Sequence, residues 1–167
     1  MIYVTPLSRL DDTLRVSGAR SLLTLLSIDA PFTPPQELAP GQWLRISMHD
    51  LAEPRHGFVA PSEAHVAEIL DFGRAWDRRA PLIVHCHAGI SRSTAAAYVI
   101  AAALQPDRDE AELARDLRKQ SPSATPNPMI IAHADKLLDR DGRMVRAIAA
   151  IGRGAEAFEG TPFVLAT

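Results

Sequence analysis

The run Pro81-Leu82-Ile83-Val84-His85-Cys86 is short, continuous and almost wholly apolar, the pattern of a strand covered on both faces. The turn His87-Ala88-Gly89-Ile90 follows. From about Ser91, through Thr94, Ala95, Ala96, Ala97, Tyr98 and Val99 to Leu104, small and apolar residues then continue over a helical length. A strand buried on both sides needs helices on both faces of its sheet, so this one segment directs the chain to a layered α/β architecture. Residues 2–5, 20–26 and 43–48 carry the patterns of partner strands. The expectation is a mainly parallel central sheet of about four to five strands flanked by helices, with a helical C-terminal half.

The remaining segments follow from spacing and punctuation. Ser8 is expected to cap a helix through about Val16 that Gly18 ends, and a proline-rich loop runs from Pro31 to Pro40-Gly41. Residues 49–61 hold Pro54, Gly57, Asp50 and Glu53 with no apolar period, which makes a loop longer than a simple connection requires. Helical spacing begins at Ser62, with Val66, Ile69, Leu70, Gly73 and Trp76 on one face. Asp107 and Glu110 are spaced as a capping box before Leu113, Ala114 and Leu117, and Ser121-Pro122 stops that helix. Asn127 caps a further helix with Pro128 in its first turn and Ile130, Ile131, Ala134, Leu137 and Leu138 turned inward. Asp141-Gly142 breaks it, and Met144, Val145, Ile148 and Ile151 mark a last one. The tail from Gly152, with its apolar Pro162-Phe163-Val164-Leu165, either docks or stays loose.

Composition narrows the class. At 167 residues the chain has the size of one domain, residues 1–167, able to bury roughly two-thirds of its extended surface. Apolar residues make up 47% and charged residues 23%, and no apolar run reaches the ~18 residues of a membrane span, so a membrane protein is not expected. The start, Met1-Ile2-Tyr3-Val4-Thr5-Pro6, lacks the basic and apolar segments of an export signal, which leaves the cytoplasm as the expected compartment. A net charge of -2 supplies no global field for nucleic acid or anionic membrane, so anion binding has to be local. The single cysteine, Cys86, cannot form an intrachain disulfide or a multi-cysteine zinc site. His85, Cys86 and His87 are adjacent on an extended strand, alternate between its faces and cannot converge on one metal ion. No cofactor is called for.

The chemistry concentrates at Cys86. A strand end followed by a helix start is where ligands bind in open α/β sheets. The backbone N–H groups from His87 through Ala88, Gly89, Ile90 and Ser91 to Arg92 are expected to form a concavity, and the positive end of the following helix adds to it. Gly89 provides a position free of Cβ crowding, and Arg92, six residues after Cys86, can return to grip two phosphoryl oxygens with its planar fork. The same donors favour thiolate over thiol at Cys86. Ser93 is placed to donate to the sulfur, and His85 to order the turn through its ring nitrogens, whereas His87 contributes only its backbone.

His85-Cys86, five residues, Arg92, then Ser93-Thr94 resembles the signature of the cysteine-dependent protein tyrosine phosphatase superfamily, and the length is similar to its compact dual-specificity type, since only 85 residues precede Cys86. The resemblance implies a phosphatase-like fold and a phosphomonoester hydrolase working through a phosphocysteine on a phosphorylated protein or a small phosphate ester. It implies Asp50 as general acid, with Glu53 and His49 on the same loop as fallbacks, and Asn127 as a buttress of the phosphate turn. The Trp-Pro-Asp tripeptide of tyrosine-specific members is absent, and the turn carries no lysine, unlike that of the superfamily's lipid phosphatases. Two other functions stay open: a phosphatase of nucleotides or inositol phosphates, and a catalytically weak module that binds a phosphorylated ligand. Arg55 and His56 stand ready for further negative groups of a substrate.

Overall fold

The computed structural model describes residues 1–36, 38–39 and 41–167; Glu37 and Pro40, within the proline-rich loop expected from the sequence, lie outside the described residues. The strands are β1 Ile2–Pro6, β2 Ser21–Leu26, β3 Trp43–Ser47, β4 Leu82–Cys86 and β5 Phe163–Leu165, and they form one sheet in the order β3-β2-β4-β1-β5. β4 is central, pairs in parallel with both β1 and β2, and is buried along its whole length, as its unbroken apolar run requires. Only β5 runs antiparallel, against β1. The expected α/β fold with a mainly parallel sheet is therefore present, and the tail docks as its fifth strand.

The helices are α1 Leu10–Ser17, α2 Glu63–Ala75, α3 Arg92–Leu104, α4 Glu110–Gln120, α5 Pro128–Leu137 and α6 Arg143–Ile151. Alternate residues of β4 serve opposite faces. Leu82, Val84 and Cys86 enter the main core with α2 to α6, while Ile83 packs with Leu10 and Leu22 beneath α1. α3 is the central pillar: every residue from Arg92 to Ala102 is buried. Its many alanines let the neighbouring elements close around it, which is why a helix so poor in bulky side chains can occupy the middle of the core.

Several sequence-derived caps hold. Ser62 accepts from the His65 backbone while the His65 ring accepts in return, and Asn127 accepts from the Met129 and Ile130 N–H groups at the start of α5. Gly18 ends α1 with its N–H on the Leu14 carbonyl. Two expectations are corrected. Ser8 caps nothing: it lies in a 3-10 turn, Leu7–Arg9, and its hydroxyl donates to Glu159 at 2.7 Å. The Asp107 and Glu110 capping box does not form either, because Asp109 takes the N-cap position and accepts from Glu112 N. Glu110 is instead a buried carboxylate held by Arg140 at 3.2 Å and Arg143 at 3.1 Å, tying α4 to the start of α6. The last helix is present as α6; Val145 is exposed on it, and Met144 and Ala147 take its buried positions.

Docking of the tail gives a test. Phe163 is buried against the core and Leu165 beside it is fully covered. Phe163→Ala is expected to lower unfolding free energy by about 3 kcal/mol in a urea titration, the order found for a core phenylalanine; a loss under about 0.5 kcal/mol, typical of exposed sites, would mean that β5 is not packed.

Candidate active site

Cys86 ends β4 and lies 1% exposed at the base of the turn that follows. Its Sγ receives the Gly89 N–H at 3.2 Å and shares a hydrogen bond of 3.1 Å with Ser93 Oγ.

The turn itself is shaped from outside. The His87 carbonyl accepts from Leu7 N at 3.0 Å, the Ala88 carbonyl from Gly160 N at 2.8 Å, the Ile90 carbonyl from Thr125 N at 2.9 Å and the Ser91 carbonyl from Asn127 N at 3.3 Å. Thr94 Oγ1 adds bonds to the Ile90 and Ser91 carbonyls at 2.6 and 2.9 Å. With the carbonyls tied outward, the N–H groups of Ala88, Ile90, Ser91 and Arg92 have no protein acceptor among the described residues. No side chain caps the N-terminus of α3, so its dipole end is open as well. Gly89 makes the turn possible for a reason the sequence did not reveal. Its φ is +68°, and a Cβ there would lie 2.7 Å from Pro6 N, so the crowding comes from the end of β1.

Arg92 is 5% exposed. Its Nη1 donates to the Met48 carbonyl, just past β3, at 2.8 Å, while Nε is buried without a partner and stands 3.9 Å from Asp50 Oδ2. One edge of the guanidinium is thus anchored on the chain after β3 and another approaches Asp50. Asp50 accepts through Oδ1 from Ser91 Oγ at 2.7 Å and from Asn127 Nδ2 at 2.8 Å, and Asn127 Nδ2 also donates to the Leu51 carbonyl at 3.0 Å. Asn127 therefore holds the Asp50 loop, the Ser91 backbone and the first turn of α5 together.

The other loop residues stand apart. The His49 ring accepts the Val59 N–H at 3.0 Å and meets Phe58 edge to face, Arg55 lies over the same Phe58 ring, and Glu53 and His56 are exposed without a bond to the turn. The His87 side chain is exposed and only its backbone belongs to the turn.

His85 is fully buried on the opposite face of β4 from Cys86. Its Nε2 is 2.8 Å from Thr24 Oγ1, which also accepts from Trp43 Nε1 at 3.0 Å. The chain Trp43, Thr24, His85 ties β4 to β2 and β3 beneath the turn, and His85 Nδ1 has no partner of hydrogen-bonding geometry among the described residues. Burial, reinforced by the Arg92 charge and opposed by the Cys86 backbone, pushes its pKa down to about 4.

Sequence reasoning missed Thr24, Trp43, Thr94, the Met48 carbonyl, Thr125 and Gly160, all of which act through contacts distant in the chain or through backbone atoms. The glycines of the tail were the one signal available for Gly160. A cleft of about 600 Å³ between Arg20, Gln42, Trp76 and Pro81 lies at the opposite ends of the strands and includes no residue of the turn.

No family model and no curated protein sequence matches the chain. Its fold is similar to solved dual-specificity and tyrosine phosphatase structures. DUSP15 superposes with a TM-score of 0.61 at 18% identity, over 90% of this chain and 89% of that one. Human DUSP28 gives 0.62 at 19% identity, over 83% and 92%, and the PTP-2 phosphatase of Cydia pomonella 0.63 at 15%, over 81% and 84%. The chain has the compact dual-specificity phosphatase fold.

Burial of His85 fixes a pH dependence. The ring is neutral in the folded chain down to about pH 4, whereas the unfolded chain takes up its proton near the usual 6.5. Stability therefore falls as pH drops from about 6.5 to about 4 and levels off below, a total of about 3 kcal/mol from this group. Urea unfolding of wild type and His85→Gln at pH 7.5 and 4.5 should give a smaller loss in the variant; equal losses would mean that His85 does not stay neutral.

Proposed function

We propose that this chain is a member of the cysteine-dependent phosphatase superfamily, a cytoplasmic phosphomonoester hydrolase of the tyrosine or dual-specificity type that works through a phosphocysteine. The observation that carries the reading is the pairing of a thiol that receives the Gly89 N–H and lies 3.1 Å from the Ser93 hydroxyl with a ring of backbone N–H groups in a turn four of whose carbonyls are engaged by neighbouring segments. A tetrahedral dianion fits that arrangement, and the partnerless Nε of Arg92 supports it.

In the first step the Cys86 thiolate forms a bond to phosphorus as the ester bond breaks, and the leaving oxygen takes a proton from Asp50. Since Oδ1 of Asp50 is held by two donors, Oδ2 carries that proton. Arg92 exchanges its approach to Asp50 for the phosphoryl oxygens. In the second step Asp50 removes a proton from water, the water oxygen bonds to phosphorus, and the Cys86 thiolate leaves with the Ser93 hydroxyl and Gly89 N–H stabilising its charge. Ser91 and Asn127 act as positioning residues for Asp50. Phosphorylated proteins and small phosphate esters are both candidate substrates, for the fold itself does not choose: PTPMT1, with a TM-score of 0.61, is known in complex with PI(5)P. The alternative of a phosphate-binding module would need Cys86 and Arg92 for shape but not Asp50.

Three variants test the mechanism with p-nitrophenyl phosphate and with phenyl phosphate, a poorer leaving group. Cys86→Ser is expected to abolish release of phosphate. Asp50→Asn should lower turnover of phenyl phosphate by about 10²–10⁴-fold and flatten the alkaline limb of the pH profile, while p-nitrophenyl phosphate shows a smaller defect. Wild-type rates in Asp50→Asn on both substrates would remove Asp50 from the chemistry, and tight phosphopeptide binding without hydrolysis by the wild type would favour the module. Ser93→Ala should slow the second step, so that a burst of p-nitrophenol appears and acid-quenched protein carries phosphate on Cys86.

A further inference from the structure

Ser91 and Asn127 hold the Asp50 carboxylate, but the loop that carries it is closed by a contact of another kind. Just past the end of β3, His49 N donates to the Val59 carbonyl at 2.7 Å, as one half of an antiparallel pair would. In the complete pair the Val59 N–H would return to the His49 carbonyl. Here it goes to His49 Nδ1 at 3.0 Å, so the ring stands in for the carbonyl. The carbonyl thus released accepts from Leu51 N at 3.1 Å, a bond between residues two apart that makes a γ-turn with Asp50 at its apex. The ring is steadied from the side as well. It meets Phe58 edge to face with centroids 5.0 Å apart, and the Arg55 guanidinium lies 5.1 Å over the centre of the Phe58 ring.

Sequence reasoning left His49 as a fallback acid, yet its ring is turned to Val59 and Phe58. Resting on the phosphatase reading, we infer that His49 is a positioning residue for Asp50: its Nδ1, by taking the Val59 N–H, closes a loop whose ends are ten residues apart and leaves the His49 carbonyl to form the turn that aims the carboxylate. Without an acceptor on this side chain, Val59 N and Leu51 N compete for one carbonyl. Completion of the antiparallel pair then breaks the γ-turn and rotates the planar peptide that leads into Asp50. A carboxylate displaced by about 1 Å loses much of its value as an acid, because proton transfer depends on placement before it depends on pKa. The requirement is for an acceptor atom next to Cγ. Asparagine offers Oδ1 at that position, whereas phenylalanine keeps a ring for Phe58 and has no acceptor, so the two substitutions separate the hydrogen bond from the packing.

The experiment compares kcat/KM for phenyl phosphate and p-nitrophenyl phosphate in wild type, His49→Phe and His49→Asn, and repeats His49→Phe in the Asp50→Asn protein; His49→Ala replaces the phenylalanine variant if urea titration shows that variant unfolded. His49→Phe should lose about tenfold to a hundredfold on phenyl phosphate and no more than about threefold on p-nitrophenyl phosphate, whose leaving group needs little protonation. His49→Asn should return phenyl phosphate to within about threefold of wild type. Added to Asp50→Asn, His49→Phe should cost nothing further, since it acts through that carboxylate. Equal losses on both esters, a defect that asparagine does not relieve, or losses that multiply in the double variant overturn the inference and leave the phosphatase reading intact. If the wild type hydrolyses neither ester, the phosphatase reading falls, and amide hydrogen exchange decides the placing of Asp50 separately: faster exchange at Leu51 and Val59 in His49→Phe, slowed again in His49→Asn, supports it, and unchanged exchange overturns it.

Discussion

The site depends on the direction in which four peptide carbonyls point. His87, Ala88, Ile90 and Ser91 each have their carbonyl oxygen engaged by a group outside the turn, from Leu7, Gly160, Thr125 and Asn127. Those partners come from the chain after β1, the tail before β5 and the approach to α5, so three distant parts of the sequence share one task. A peptide plane with its oxygen tied outward has its N–H turned inward, and the planarity of the peptide leaves no intermediate choice. The concavity of donors is therefore a consequence of what surrounds the turn as much as of its own residues, and the sheet, α3 and the tail have to be in place before an anion can be held.

Asn127 carries the same logic to Asp50. A capping asparagine is ordinary at a helix start, and its Oδ1 does cap α5. Its Nδ2, left free by that role, reaches Asp50 and the Leu51 carbonyl, while its own N–H reaches Ser91. One residue thus sets the distance between the Asp50 carboxylate and the cradle. Ser91 supports the arrangement because its hydroxyl, in place of capping α3, donates to Asp50; the uncapped helix end and the positioned carboxylate have a common cause.

How much of this the sequence revealed follows the range of the contacts. The shape of the turn was legible because strand, turn and helix are consecutive, and the placement of Cys86, Gly89, Arg92 and Ser93 depends on offsets of a few residues. The caps at Ser62 and Asn127 were legible for the same reason. Asp50 could be named only through a resemblance, since an aspartate after a strand has many local uses, and what brings it to Arg92 is the parallel pairing of β3 with β2 and of β2 with β4. Asp107 was misjudged because the spacing that suits a capping box is also available to Asp109, while Glu110 is drawn away by Arg140 and Arg143, some thirty residues on. Ser8 was misjudged because its partner, Glu159, lies 151 residues distant. Local rules see neither arginine nor tail.

The tail also explains how the fold tolerates a site built from unsatisfied groups. Open N–H groups, a partnerless Arg92 Nε, a left-handed Gly89 and a neutral buried His85 each leave stabilisation unclaimed. The surrounding elements offset this with apolar contact: β4 buried throughout, α3 buried from Arg92 to Ala102, and β5 closing the edge beside β1. Because the same tail that completes the sheet also engages the Ala88 carbonyl, the residues that stabilise the fold and those that aim the donors are partly the same.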